Sequence, residues 1–367
     1  MELQDSKCWV YFLVGFDLAH SKPTIFETLF CALELPNSKG SVQNLIVNLQ
    51  ELKMLSKLKD AGMRVAVKGP RYIKALFMDP RWAATFILGR FHCLRQLSRR
   101  LSKPAAKTDF GTSRLFGDLD ATKIVDEIRE QGMCNAFRLP KDTLESIHHY
   151  AQTATAIANE NPEKSFVMSG KAEAEARMGK TIVVGNYPNI DKCLSVDALI
   201  KDPLLHEVAS KYIGSEVKSS CRMWWSFPVN ASREDRLRFA QGTFHYDPDV
   251  DFRALKFFFC LTDTDENSGL HEVVVGSHKR KRMKHLWTLF VGQSDEEIQE
   301  YYGTENIKKM ACDAGQGFAE DPLCFHKGNA PIDNPRLMLE VLFVPERNTK
   351  KATQQSLSYE AVGKPAS

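Results

Sequence analysis

Apolar residues in the first third of the chain recur at helical spacing, over 45–58 and again over 83–97, and this pattern predicts helices there. The stretch 118–152, DLDATKIVDEIREQGMCNAFRLPKDTLESIHHYAQ, reads as two helices, each entered through an Asp or Thr cap, with an apolar crossing between them. A third helix is predicted over 197–213, stopped by Gly214. Beyond it the helical period gives way to alternation. Short runs rich in aromatic and branched residues, 219–227, 254–261, 271–275 and 337–344, are separated by Gly, Pro, Asn and Asp and predict strands. Helices first and strands afterwards indicate an α+β chain with a closed or sandwiched β core. The Pro, Gly, Ser and Thr collected in 103–113 are loop chemistry. The expected organisation is therefore a mainly helical or mixed region over 1–112, a main domain over 113–347 and a polar tail over 348–367.

Composition narrows the function classes. With 367 residues and 43% hydrophobic content the chain can bury a sizeable core, and a net charge of +3 is too small to argue for nucleic acid. The nine cysteines are scattered without a C-x-x-C pair, which is neither a disulfide framework nor a zinc-finger spacing, so a reducing, cytoplasmic setting is expected. No apolar run is long enough to span a bilayer. Over 63–107 lysines and arginines face a single acid, Asp79, with Trp82, Phe86, Phe91 and Leu94 interleaved. Such a stretch is either a solvated basic helix face or a surface for peripheral membrane or protein contact.

The candidate chemistry lies in the β half. His245-Tyr246-Asp247 sets two metal-ligating side chains two residues apart, so an extended backbone sends both to one face. His326, in a strand-like, glycine-bounded segment, is the candidate third ligand. Two imidazoles and a carboxylate make the facial triad that leaves open positions on iron(II), and a zinc site on the same ligands is also chemically sound. Arg336 opens the apolar strand that follows. Its guanidinium requires an anion, which is either the far carboxylate of 2-oxoglutarate, if that is the cosubstrate, or Glu340 on the same strand face. Lys256, within Leu255-Lys256-Phe257-Phe258-Phe259, needs an anion for the same reason, and the cosubstrate or an acid such as Asp263 would serve. Trp224, Trp225 and Phe227 read as core, although Arg222 and Trp224 share a face that would suit a pocket wall.

The stretch FHYDPDVDFRALKFFFCLTDTDENSGLHEVVVGSHKRKR resembles the core of the phytanoyl-CoA dioxygenase-like oxygenases, which use iron(II), 2-oxoglutarate and O2. Their ordered features fall on His245 and Asp247, on Lys256 in its apolar strand, on the acidic turn 263–269 and on Gly276-Ser277-His278; their distal histidine and arginine fall on His326 and Arg336. The resemblance covers about 118–345. It implies a double-stranded β-helix, the jelly-roll or cupin-like barrel with its metal at the mouth, metal ligands His245, Asp247 and His326, and cosubstrate contacts at Arg336 and Lys256. It also implies that His278 lies in a turn away from the metal. The chain departs from the family pattern at Met338, where many members carry a hydroxyl residue, and at Val275, where Pro is usual.

The expected function is a dioxygenase that hydroxylates or otherwise oxidises a small organic substrate. A cupin-like metal-binding protein without turnover and a zinc hydrolase are the alternatives. Substrate-contacting groups are expected on 169–189 and 294–309, and loops carry no transferable code for the substrate itself.

Overall fold

The computed structural model describes residues 80–101, 110–287 and 292–346, except 118, 240, 249 and 252. The helix expected over 45–58 and the tail 348–367 lie outside the described residues. Residues 79–280 and 293–367 form one compact unit. A second comprises 1–78 and 281–292, whose described part carries one short helix, Met283–Trp287.

Two helices, α1 (Pro80–Leu88) and α2 (His92–Leu101), open the main unit. They are followed by α3 (Ala121–Gln131), β1 (Met133–Arg138) and α4 (Lys141–Thr153). The short strands β2 (Ala156–Ala158) and β3 (Ser165–Phe166) precede α5 (Lys171–Met178) and β4 (Val184–Asn186). Next come α6 (Leu194–Ile200), α7 (Pro203–Ile213), β5 (Val217–Ser226) and α8 (Arg233–Arg238). The β-rich remainder holds β6 (Leu255–Cys260), β7 (His271–Val274), β8 (Ile307–Met310), β9 (Gln316–Glu320), β10 (His326–Gly328) and β11 (Arg336–Pro345), with the helix Asp295–Tyr302 between β7 and β8.

These strands make two antiparallel sheets, an eight-stranded one in the order β1-β9-β6-β11-β5-β4-β2-β3 and a three-stranded one in the order β10-β7-β8. Alternation along each strand decides which layer a side chain joins. On β6, Leu255, Phe257 and Phe259 turn toward the helices, as do Leu337, Leu339, Val341 and Phe343 of β11; they meet Ile128 of α3, Ile147 of α4 and Val208 of α7 in the larger core. The opposite faces, Phe258 and Cys260 of β6, Met338 of β11 and Phe318 of β9, meet Val273 and Met310 of the small sheet in a second core. The result is the α+β double-stranded β-helix, with helices on one face and a lined interior between the sheets.

Two sequence expectations are corrected. The apolar crossing between the first two helices of the domain is β1, an edge strand paired with β9. Only α3 has the expected cap, Asp120 accepting from the Thr122 and Lys123 amides at 2.8 and 3.2 Å; α4 begins at Pro140 with no side-chain cap. The single helix expected over 197–213 is two helices. Pro203 has no N–H to give to a continuing helix, and Asp202 caps the second start through the Leu204 amide at 2.9 Å. The stop at Gly214, in the left-handed conformation with φ +78°, is as expected.

Candidate metal centre

The segment 244–247 carries His245 and Asp247 without belonging to a regular strand. It pairs directly with the chain around His326: the His245 amide donates to His326 O at 2.9 Å, the His326 amide donates back at 2.8 Å, and the Asp247 amide donates to Pro322 O at 2.8 Å. Residues directly opposite in such a bridge point the same way, so the two imidazoles meet with centroids 4.6 Å apart. The backbone thus unites a pair and a residue about eighty positions away. Potential ligand atoms of His245, Asp247 and His326 all lie within 4.8 Å of one another, the single such group of three among the described residues.

Both histidines have a fixed tautomer. The Nδ1 of His245 is 3.0 Å from Thr243 O, and that of His326 is 3.0 Å from Cys324 O. A carbonyl only accepts, so each Nδ1 carries a proton, and Nε2 is the nitrogen left to coordinate a metal. The Gly276-Ser277-His278 turn holds the approach to His326: Ser277 Oγ accepts from the Phe325 amide at 2.8 Å and donates to Val274 O at 2.7 Å. His278 packs against Cys324 and Arg129 O, away from the ligand group.

Charge balance around the site is dense. Burial works to raise the Asp247 pKa, but the Lys256 ammonium, followed by His326 and His245, holds the carboxyl well below the usual range. Lys256 lies 2.7 Å from Asp247 Oδ2 and 3.3 Å from Glu340 Oε2. Burial pulls against its charge, and these two carboxylates more than restore it, keeping it above the ordinary lysine range. Asp263, weighed from sequence as its partner, instead accepts from the Ala314 amide at 2.8 Å. Glu340 also takes Arg222 at 2.8 Å, and the Arg222 guanidinium sits 4.8 Å from the Trp224 ring centroid. Trp225 and Phe227 stack in the helix-facing core, as their pattern suggested.

Arg336 is 4% exposed, and its Nε and Nη1 find no hydrogen-bond partner among the described residues. The ion pair with Glu340 expected from strand alternation is absent, because Lys256 and Arg222 engage that carboxylate. Burial alone draws the guanidinium pKa down to about 10, against a small opposing effect of Cys260. Gly328 makes room for it, since a Cβ there would lie 3.3 Å from Arg336 Nη2.

Sequence reasoning missed Glu320, which is fully buried on β9. Its Oε1 lies 2.9 Å from His326 Nδ1, off the line of the N–H, and its Oε2 is 2.8 Å from His271 Nε2. Burial would raise its pKa, but His326 and His271 bring it down to about 2. Burial lowers the pKa of His271 despite Glu320, and the ring lies nearly parallel to His326 at 5.6 Å and 22°. The signal was present in the sequence: an acid ending the apolar run Gly317-Phe318-Ala319 poses the question that Lys256 posed on β6.

The model of the phytanoyl-CoA dioxygenase family matches residues 128–331, a span that includes His245, Asp247, Lys256 and His326. The chain belongs to the phytanoyl-CoA dioxygenase family. No curated protein matches the sequence. Similar solved structures include AviO1 from Streptomyces viridochromogenes Tue57, 14% identical, covering 63% of this chain and 97% of that one with a TM-score of 0.42. Another is the non-heme alpha-ketoglutarate-dependent epimerase SnoN from nogalamycin biosynthesis, 14% identical over 61% of this chain and 83% of that one, TM-score 0.44. The carbocyclase SnoK from the same biosynthesis is 15% identical over 64% and 88%, TM-score 0.42. At these scores the likeness is loose, and membership of the phytanoyl-CoA dioxygenase family stands on the sequence match. No helix among the described residues is long and apolar enough to cross a membrane.

Proposed function

We propose that this member of the phytanoyl-CoA dioxygenase family is an iron(II)- and 2-oxoglutarate-dependent oxygenase acting on a small organic substrate. The observation that carries the reading is one of pairing: a compact His245, Asp247 and His326 group opens on the same barrel interior as a buried arginine with unpartnered nitrogens.

The donor set fits iron(II). Two imidazoles that can present Nε2 and one carboxylate supply three positions and leave others open. With 2-oxoglutarate and O2, bound iron(II) would supply the oxidising power that couples loss of CO2 from the keto acid to oxidation of a substrate C–H bond. The chain's own part is to hold and orient. Thr243 O and Cys324 O fix the imidazole faces, while Lys256 anchors Oδ2 of Asp247 and keeps that carboxylate anionic in one orientation. Because Asp247 and Glu340 already satisfy Lys256, its work is on Asp247, and the far carboxylate of 2-oxoglutarate falls to Arg336. A guanidinium that is buried, charged and unpaired is costly to maintain without an anion. Arg222 and Trp224, on the interior face and less deeply buried, make the substrate wall. The cysteines of the described residues are free thiols, which supports a reducing cytoplasmic setting, and residues 113–347 would form the oxygenase domain.

Glu320 backs His326 as a buried negative charge, its Oε1 2.9 Å from Nδ1, while the Nδ1–H itself goes to Cys324 O. Glu320→Gln is expected to weaken ferrous or cobaltous binding about 10- to 100-fold, as read by calorimetric titration under anaerobic conditions; an unchanged affinity would remove Glu320 from the metal's support. The function itself is tested by incubating iron-loaded enzyme and 2-oxoglutarate with pooled metabolites and identifying oxidised products by mass. Full zinc occupancy with hydrolytic activity, or tight metal binding with no consumption of 2-oxoglutarate, would contradict the proposal.

A further inference from the structure

The helix pair α1–α2 precedes the residues matched by the family model, yet it touches the back of both ligand-bearing segments. Tyr246, between His245 and Asp247, points away from the site into a cluster with Leu323 and Phe325, the residues that lead into His326. Its ring meets Phe325 edge-on at 5.1 Å. Arg90, at the turn between α1 and α2 and 3% exposed, donates to Tyr246 Oη at 3.0 Å and is itself held by Phe86 O at 2.8 Å. One turn into α2, Arg95 is 6% exposed and reaches Asp321 Oδ2 at 3.3 Å and the His278 carbonyl. Asp321 heads the loop into His326: its carboxylate accepts from the Leu323 amide at 2.8 Å and from Tyr212 Oη at 2.6 Å.

We propose that Arg90 and Arg95 are positioning residues of the metal centre, which tie α1–α2 to the two backbone segments whose pairing unites His245, Asp247 and His326. These two members of the basic stretch are thus internal struts and not part of a displayed surface. The physical argument is one of tolerance. The ligand segments are held to each other by isolated bridges and single backbone hydrogen bonds and not by a long ladder, so their relative placement also depends on what braces them from behind. Arginine suits the task because its rigid planar fork holds two acceptors, here a carboxylate and a carbonyl, in a fixed mutual geometry that the point charge of a lysine does not impose.

This inference rests on the ligand reading above, and the test separates the two. Full-length wild type, Arg95→Lys, Arg90→Met and Tyr246→Phe are titrated anaerobically with cobalt(II), recording affinity and the visible ligand-field spectrum alongside the thermal midpoint. Ile147→Ala, which opens a cavity in the helix-side core remote from the ligands, is the control for loss of stability alone. Arg95→Lys and Arg90→Met are expected to raise the cobalt dissociation constant at least about tenfold, the range typical of lost support behind a ligand, with a changed spectrum. Tyr246→Phe, which removes one hydroxyl, is expected to shift both in the same direction by less, while Ile147→Ala lowers the midpoint and leaves both unmoved. Wild-type affinity and spectrum in Arg95→Lys and Arg90→Met would overturn the inference while leaving the ligands standing. Equal weakening in Ile147→Ala would reduce it to general stability, and failure of the wild type to bind cobalt would overturn the ligand reading itself.

Discussion

Replacing His245 or His326 by alanine is expected to abolish stoichiometric retention of ferrous iron while leaving the fold intact. Each imidazole supplies one of only three protein donors, and neither can be replaced from nearby: His271 gives its Nε2 to Glu320, and His278 faces Cys324 and Arg129 O. The fold should survive because the two imidazoles face each other across the site, while the apolar packing of their segments is made by Phe244, Tyr246 and Phe325, which the substitutions leave in place. In the metal-free variants Lys256 still neutralises Asp247, and His271 still holds Glu320. Metal analysis after anaerobic loading and gel filtration, with far-UV circular dichroism, provides the check. One iron per chain and wild-type turnover in either variant would remove the triad assignment.

Replacing Arg336 by leucine should have the second largest effect, and of a different kind. The concentration of 2-oxoglutarate needed for half-maximal rate should rise steeply, while metal affinity in the absence of cosubstrate stays near the wild-type value. Losing a charge-assisted pair in a dry pocket costs about 2 to 5 kcal/mol, roughly 30-fold to a few thousand-fold in affinity. A second readout sharpens the prediction. In the free protein the guanidinium is buried with Nε and Nη1 unpartnered, so the leucine variant should be at least as stable as wild type without cosubstrate. The wild type alone should then gain thermal stability on adding 2-oxoglutarate with a redox-inert metal. Lower stability of the free variant with unchanged cosubstrate affinity would make Arg336 a structural residue.

The reasons why parts of this molecule are legible in its sequence, and others are not, can be seen residue by residue. The strands β6, β7 and β11 are readable because both their faces are buried and so keep a dense aromatic or branched run that ends at turn chemistry, and β5 is readable from its buried end, 223–226. The short strand β1 was hidden, since six residues of edge strand between two helices leave little periodicity, and it carries a register shift between Cys134 and Phe137. The break between α6 and α7 could have been read from Asp202-Pro203, where a cap precedes a residue without an amide proton. Of the site, the His245 and Asp247 pair is local and visible as a motif. His326 needed the ordered family pattern, because the bridge that brings it to His245 is a property of the tertiary fold. Glu320, His271, Arg90 and Arg95 carry no local signature beyond being polar among apolar neighbours. Which charge each one meets depends on strand register and helix docking, and that pairing also decided that Lys256 meets Asp247 and Glu340 while Arg336 meets neither.

The central claim is that this barrel uses iron(II) and 2-oxoglutarate to activate O2. Its most direct test is isotopic. Anaerobically purified, iron-loaded enzyme is mixed with 2-oxoglutarate and the metabolite pool, exposed to 18O2, and the succinate is analysed by mass spectrometry. Succinate that depends on added iron and carries one 18O atom is expected, with the second atom in a hydroxylated product where hydroxylation is the outcome, and no such succinate from His326→Ala. Labelled succinate no greater than in the metal-free control, or equal yields from wild type and His326→Ala, would contradict the claim.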